Sequence, residues 1–448
     1  MTRNTADYQR ADSAHYIHPF TDSKALGTGA RIIQRAEGVY LWDSDGNKIL
    51  DGMSGLWCVN IGYGRRELAE AAAKQMAELP YYNSFFQCAT PPAIELAESL
   101  AQIAPSGFNR VFFTGSGSEA NDTVIRMVRR YWELRGESKR TVIISRHNAY
   151  HGSTMAGASL GGMAAMHAQG GLPIPDIAHI RQPYWFGEGR THTPDEFGLI
   201  CARALADKIE EIGKEKVAAF IGEPVQGAGG VIVPPTTYWP EVQKICDHYG
   251  IPIIADEVIC GFGRLGRWFG SEHFNIQAKI MPIAKGMTSG YLPMGGVLVH
   301  DDIAEVLAEK CGEFTHGFTY SGHPTCAAVA VENIRIMREE KIIERVQNDT
   351  APYFQQQWAA LAEHSLVGNV RGIGMVAGLE LATADGKPYG ASVGAQCRDL
   401  SIANGLVMRS IGDAMIVAPP LVISKAQIDE LITKVRKSLD ELTGKLGL

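Results

Sequence analysis

The sequence predicts an α/β protein: a large domain on a mainly parallel, doubly wound sheet, plus a smaller α+β domain. Two observations carry this. Short β-branched runs alternate with helix-patterned stretches through the middle of the chain, and strand alternating with helix builds parallel sheets. At 448 residues the chain also exceeds the roughly 250–300 residues at which a single core stops growing. The expected division is an N-terminal segment over 1–60 that joins the small domain and the functional site, a large domain over 61–325, and a small C-terminal domain over 326–448.

In order along the chain, GVYLWDSDGNKILDG reads as a β-hairpin turning at Asp45-Gly46, a strong turn signal. RVFFT (110–114), TVIIS (141–145), AAFIGEP (218–224) and IPIIADEV (251–258) read as strands. They are apolar on both faces, as strands covered by helices on both sides must be. Between them, SEANDTVIRMVRRYWELRG and YWPEVQKICDHYG repeat apolar residues at three- and four-residue spacing, the helical period. After about residue 325 come two long helical stretches, then RGIGMVAGLELAT and GLVMRSIGDAMIVAPP, and a last amphipathic helix from near Ser424. No internal repeat or low-complexity tract interrupts this.

Composition narrows the function classes. A hydrophobic fraction of 45%, a charged fraction of 20% and a net charge of -7 are those of a soluble globular protein, and argue against a nucleic-acid partner. Eight cysteines occur without a CxxC pair or metal-type spacing, so neither a disulfide framework nor a metal site is expected. The N-terminus has no apolar leader core, and no stretch approaches the ~18 continuous apolar residues of a membrane span. The expected location is cytoplasmic.

Two residues carry most of the chemical signal. Asp256 closes the apolar run IPIIA, and open α/β sheets place ligand-binding groups at the carboxyl ends of their strands; alone, it would serve equally as a helix cap. Lys285 in PIAKGMTSG sits among small and apolar residues, where desolvation would lower its pKa and free the amine to attack an aldehyde. An aspartate beside a ring nitrogen and a lysine beside an aldehyde are what pyridoxal 5′-phosphate requires. After amine exchange the same lysine can carry a proton as base and then acid.

The supporting motifs are individually ambiguous. TGSGSEAND (114–122) places Gly117 and Ser118 at a helix start near Glu119, suited to a phosphate or to a plain helix cap with Ser118 as the capping residue. In HNAYHGST (147–154), Tyr150 could stack on a flat ring with Val258 opposite, His151 and Gly152 lining the turn, or could be ordinary core. GFGRLG (261–266) matches the dinucleotide fingerprint in outline, but no helix pattern follows it.

With these residues in hand, the chain resembles, over nearly its whole length, the class III aminotransferases of the fold type I pyridoxal phosphate enzymes. The motifs that carry this are GLWCVNIGYG, TGSGSEAND, NAYHGST, EPVQGAGGVIVPP with ADEVICGFGR, and AKGMTSGYLPMGG with HGFTYSGHP. Within the class it is most similar to ω-aminotransferases that use pyruvate, especially putrescine and polyamine–pyruvate enzymes, with β-alanine–pyruvate enzymes next. The resemblance implies Lys285 as the lysine bonded to the cofactor, Asp256 as partner of the pyridine nitrogen, and Tyr150 as the stacking residue. It implies Gly117 and Ser118 as the phosphate loop, Glu223 as an acid near cofactor and substrate, and Thr319 reaching the phosphate from a neighbouring subunit. It also implies Arg409 as a mobile grip on the keto-acid carboxylate, a role that a planar, bidentate guanidinium suits. Trp57, Tyr82, Phe85 and Phe86 would offer aromatic surface to a methylene chain. One departure is Ala278-Lys279 in QAKIMPIAKG, where relatives carry Pro-Asp; little effect on chemistry is expected.

The expected protein is therefore a homodimer, or a dimer of dimers, with shared active sites. It would move the terminal amino group of a diamine or ω-amino acid to pyruvate, giving an aldehyde and L-alanine by a ping-pong mechanism. Another pyridoxal phosphate reaction on the same fold (racemisation or decarboxylation) is the first alternative, and a nicotinamide-dependent oxidoreductase using GFGRLG the second.

Overall fold

The computed structural model describes residues 3–448. Its centre is a seven-stranded sheet in the order Arg110–Thr114, Gly295–Val299, Ile280–Ile283, Ile253–Ala255, Val217–Gly222, Val142–Arg146, Ile177–Ile180. Gly295–Val299 runs antiparallel to both its neighbours, and the remaining pairs are parallel. Two of these strands, Ile177–Ile180 and Gly295–Val299, are not singled out by sequence pattern. The first is four residues long, and the second contains two glycines, which weaken a strand signal.

Period-two alternation divides the sheet's residues between two apolar layers. In Val217–Gly222 every residue is buried, with Phe220 packed in one cluster and Ala219 and Ile221 in the other. Helix Gly117–Leu134 supplies Val124, Val128 and Trp132 to the second cluster, at the four-residue spacing that forms one helix stripe. Helices Pro194–Ile212 and Tyr238–Tyr249 cover the opposite face through residues such as Leu205, Ile209 and Trp239. Each such side chain contributes roughly 1.5–3 kcal/mol by leaving water. This two-sided burial makes the sheet rigid enough to hold a site at its edge.

Two smaller sheets flank it. The N-terminal hairpin forms, with Tyr40–Asp43 antiparallel to Lys48–Asp51, and Leu406–Val407 pairs parallel with Lys48–Asp51. The N-terminal segment is thus stitched to the C-terminal part by backbone hydrogen bonds. The second sheet is antiparallel in the order Val367–Ile373, Val376–Leu381, Ala414–Val417, Arg409–Ile411. Helix Lys425–Leu446 closes the chain, capped reciprocally by Ser424 and Gln427. No helix among the described residues is long and apolar enough to cross a membrane.

Parallel strands align their carboxyl ends, so the residues that follow them meet. Gly117 comes after Arg110–Thr114, Tyr150 after Val142–Arg146, Glu223 after Val217–Gly222, Asp256 after Ile253–Ala255 and Lys285 after Ile280–Ile283. The topology alone gathers five separated motifs at one edge.

Candidate active site

A cavity of about 670 Å³ opens at that edge. It brings together Gly117, Ser118, Tyr150, His151, Glu223 and Asp256, and also Val258, Lys285, Trp57 and Arg409.

Asp256 is almost fully buried. Its Oδ2 accepts from His151 Nδ1 at 2.6 Å and Asn121 Nδ2 at 2.9 Å, and its Oδ1 from the Val258 amide at 3.1 Å. Burial alone would raise its pKa, but the His151 hydrogen bond and charge, then Asn121 and Val258, hold it below the ordinary value. The group is therefore a carboxylate at neutral pH, with acceptor capacity on the side lined by the cavity. Asn121 also donates to the His151 carbonyl at 2.8 Å; its position in TGSGSEAND is visible in sequence, but nothing there shows that it orients Asp256.

Lys285 has φ 46, a left-handed conformation that costs a non-glycine residue of order 1–3 kcal/mol and persists where surrounding packing over-determines it. The next residue has to be glycine. A Cβ on Gly286 would lie 2.5 Å from Asn60 Nδ2 and 2.9 Å from the Phe262 Cβ. The Lys285 side chain is half-buried, not fully so, and it faces the cavity. Desolvation by the cavity walls pulls its pKa below the ordinary lysine value, partly offset by Asp256.

Ser116, not Ser118, caps helix Gly117–Leu134, taking the Glu119 amide at 3.2 Å; the helix starts two residues earlier than its sequence suggests. Ser118 Oγ instead accepts from the Ser153 amide at 3.0 Å. The first-turn amides of Gly117 and Ser118 are left for an anion, which the helix dipole favours. Gly117 permits close approach: a Cβ there would meet the two Val258 methyls at 3.0 and 3.1 Å. Tyr150 lines the cavity while also packing against the apolar cluster of Met53, Trp57 and Ile259, with its hydroxyl 3.0 Å from Ser153 Oγ and its amide donating to Glu223 Oε1 at 3.2 Å. Glu223 also accepts the Gly227 amide at 2.9 Å. Burial raises its carboxyl above the usual range, with His151 partly opposing.

Arg409 lies over the Trp57 ring, its guanidinium carbon 5.3 Å from the centroid. Burial lowers its pKa, partly offset by Tyr150. Trp57 stands on a strained turn, since Ser54, Gly55 and Trp57 all have positive φ. That turn is held by Asp51, whose carboxylate accepts the Met53 and Gly55 amides and the Tyr63 hydroxyl.

Three expected aromatic residues, Tyr82, Phe85 and Phe86, do not line this chain's cavity. Thr319, expected to act from a neighbouring subunit, does not line it either. Segments 81–84 and 319–321 are tied together on the surface, Tyr81 donating to the Thr319 carbonyl at 2.7 Å and Ser84 to the Ser321 carbonyl at 3.0 Å. There Phe86 and Tyr320 are 87% and 64% exposed. GFGRLG forms a tight turn closed by bonds from Phe262 to Trp268 and Gly263 to Arg267, with only the four-residue helix Gly270–His273 after it. It has no dinucleotide geometry. Lys279 directly precedes strand Ile280–Ile283 and pairs with Asp302.

The family model for class-III aminotransferases matches residues 23–439. The chain belongs to the class-III aminotransferases. It is 61% identical to the putrescine–pyruvate aminotransferase of Pseudomonas aeruginosa, over 98% of this chain and 96% of that protein. A chloroplastic gamma aminobutyrate transaminase of Solanum lycopersicum is 41% identical over 93% of this chain and 81% of its own length. Among solved structures, an (S)-enantioselective ω-transaminase from Thermomicrobium roseum superposes with a TM-score of 0.95 at 42% identity, covering 99% of this chain and 100% of that one. An ω-transaminase of Pseudomonas jessenii, solved with PMP, has a TM-score of 0.96 at 38% identity over 98% and 99% of the two chains. This aminotransferase is accordingly a fold type I enzyme of pyridoxal 5′-phosphate. Its residues fit that group: unengaged helix amides for a phosphate, an open face between Tyr150 and Val258 for a ring, an ionised Asp256 for a ring nitrogen, and a desolvated lysine for an aldehyde.

Proposed function

We propose that this aminotransferase takes the terminal amino group of a diamine or ω-amino acid and transfers it to pyruvate in a ping-pong cycle, releasing an aldehyde and L-alanine. The observation that carries this reading is Arg409. Its guanidinium lies over Trp57 in the same cavity as Lys285, suited to grip the carboxylate of a small keto acid in one half-reaction. The 61% identity to a putrescine–pyruvate enzyme supports the choice of substrates.

Bound pyridoxal 5′-phosphate would supply an electron-accepting ring and an aldehyde. The Gly117 and Ser118 amides and Ser118 Oγ would hold its phosphate, Tyr150 and Val258 its faces, and Asp256 its ring nitrogen, with His151 and Asn121 fixing that carboxylate. Glu223 braces Tyr150 through the backbone. Lys285 Nζ, whose pKa desolvation lowers, would take the proton from the amine-bearing carbon of the substrate and return it as an acid. Trp57 and Leu56 line the space left for the methylene chain.

The exposed aromatic surface around Phe85, Phe86 and Tyr320 is where a second copy would sit, so that Thr319 and Phe85 complete the partner's cavity. The working unit is then at least a homodimer. Incubation with pyruvate and a panel of putrescine, longer diamines, β-alanine and 4-aminobutyrate should yield alanine with one or more of them; failure of every primary amine to produce alanine would overturn the reading.

A further inference from the structure

The charges lining the cavity are unevenly placed. Its acidic side chains are Glu223 and Asp256, its basic ones Lys285, Arg398 and Arg409. Both acids are buried and already bonded, Glu223 to the Tyr150 and Gly227 amides and Asp256 to His151, Asn121 and Val258. The open side is formed by Leu56 and Phe20, 55% and 76% exposed, and by Arg398, whose side chain is 44% exposed. The outer part of the cavity is therefore lined by a guanidinium and by no acidic side chain, on a chain whose net charge is -7.

Among the described residues Arg398 is held only by its sequence neighbour. Its Nε and Nη2 both donate to one oxygen, Asp399 Oδ1, at 2.9 and 2.7 Å, and Nη1 has no partner among the described residues. Such an exposed pair contributes little and is readily exchanged for another carboxylate. Arg409, in contrast, is desolvated against Trp57.

We propose that Arg398 is a specificity-determining residue at the mouth of the cavity: it receives the distal carboxylate of an ω-amino-acid donor and opposes the distal ammonium of a diamine. The inference rests on the reading of this cavity as an amine-donor site. A planar fork with an unengaged nitrogen can take a carboxylate oxygen by a charge-assisted hydrogen bond. An ammonium-ended donor of the same length finds no unbonded acid in this chain's cavity and meets a like charge instead. Only a donor long enough to reach the mouth would respond, so the effect should grow from β-alanine to 6-aminohexanoate.

The test uses the holoenzyme without keto acid, following loss of the visible cofactor band with 6-aminohexanoate, 1,6-diaminohexane and hexylamine as donors of equal chain length. For Arg398→Gln the kcat/KM ratio of 6-aminohexanoate to hexylamine should fall about 1.5- to 5-fold, the scale of a partly exposed charge pair, while that of the diamine to hexylamine rises. Arg398→Glu should enlarge both shifts. Asp399→Asn, which releases Arg398, should move the first ratio upward. Equal changes for all three amines, or unchanged ratios in both Arg398 variants, would overturn the proposal. If the parent enzyme reacts with none of the three, the amine-donor reading falls and takes this inference with it; normal reaction of the parent with no change of ratio removes the inference alone.

Discussion

Arg264 offers the most demanding test of how the site is supported. It is fully buried and has no carboxylate partner among the described residues. Nη1 donates to the carbonyls of Pro419 at 2.5 Å and Met375 at 3.3 Å, and Nη2 to Asn60 Oδ1 at 2.7 Å and Ser54 Oγ at 3.2 Å. These acceptors belong to the C-terminal sheet region and to the turn that carries Trp57, so one cation joins both to the large domain. Burial pushes its pKa down to about 10 from 12.5, equivalent to roughly 3 kcal/mol at 1.36 kcal/mol per pH unit. Four charge-assisted bonds at about 1.5 kcal/mol each return roughly 6 kcal/mol. Arg264→Met removes both contributions, a net loss of at least about 3 kcal/mol to which the acceptors left unpaired add. Denaturant titration of the enzyme should show this as a lower midpoint at unchanged slope. Arg264→Lys, with fewer and less directed donors, should fall between the two. Because Ser54 and Asn60 bracket Trp57, the Met variant should also raise the KM for pyruvate more than it lowers kcat. A Met variant as stable as the parent, with unaltered pyruvate kinetics, would refute the view that this cation organises the turn.

Other substitutions address the chemistry directly. Lys285→Ala should lose the visible cofactor band and cut turnover by at least about 10³-fold, as expected for removal of a general base; retained turnover would exclude Lys285 as the proton carrier. Arg409→Ala should raise the KM for pyruvate by about 10- to 100-fold, the range of a lost charge-assisted hydrogen bond, and should affect the half-reaction with an uncharged alkylamine far less. His179 provides a pH test away from the cavity. Burial pushes it down to about 4, partly opposed by its bond to the Gly161 carbonyl, while His167 and His147 lower it further. The unfolded chain, with an ordinary histidine near 6.5, then binds more protons than the folded one between about pH 4 and 6.5, so stability is lost as pH falls through that window. Replacing His179 with Asn should flatten the slope of stability against pH there, as measured by denaturant midpoints; an unchanged slope would remove His179 as its source.

The fold was legible because the large sheet is doubly covered: TVIIS and AAFIGEP advertise buried strands through their own composition. What the sequence pattern passed over, Gly295–Val299 and Ile177–Ile180, are strands whose identity comes from their neighbours in the sheet and not from local preference. The site divides along the same line. Asp256 and Lys285 could be proposed from local context, because burial of an acid and an amine at strand ends needs a reason. Asn121 and His151 act through contacts 30 to 135 residues distant, as in the Asn121 bonds to the His151 carbonyl and to Asp256 and the His151 bond to Asp256, which no local pattern encodes. Arg264 is the sharpest case. In sequence it belongs to a glycine-rich six-residue stretch that imitates a nucleotide loop; in space it is a buried cation whose four acceptors come from three distant segments. The glycines around it serve the close packing that such a cation needs: a Cβ on Gly263 would sit 2.9 Å from Leu421. The motif is thus explained by the groups Arg264 must reach, and not by any phosphate it might hold.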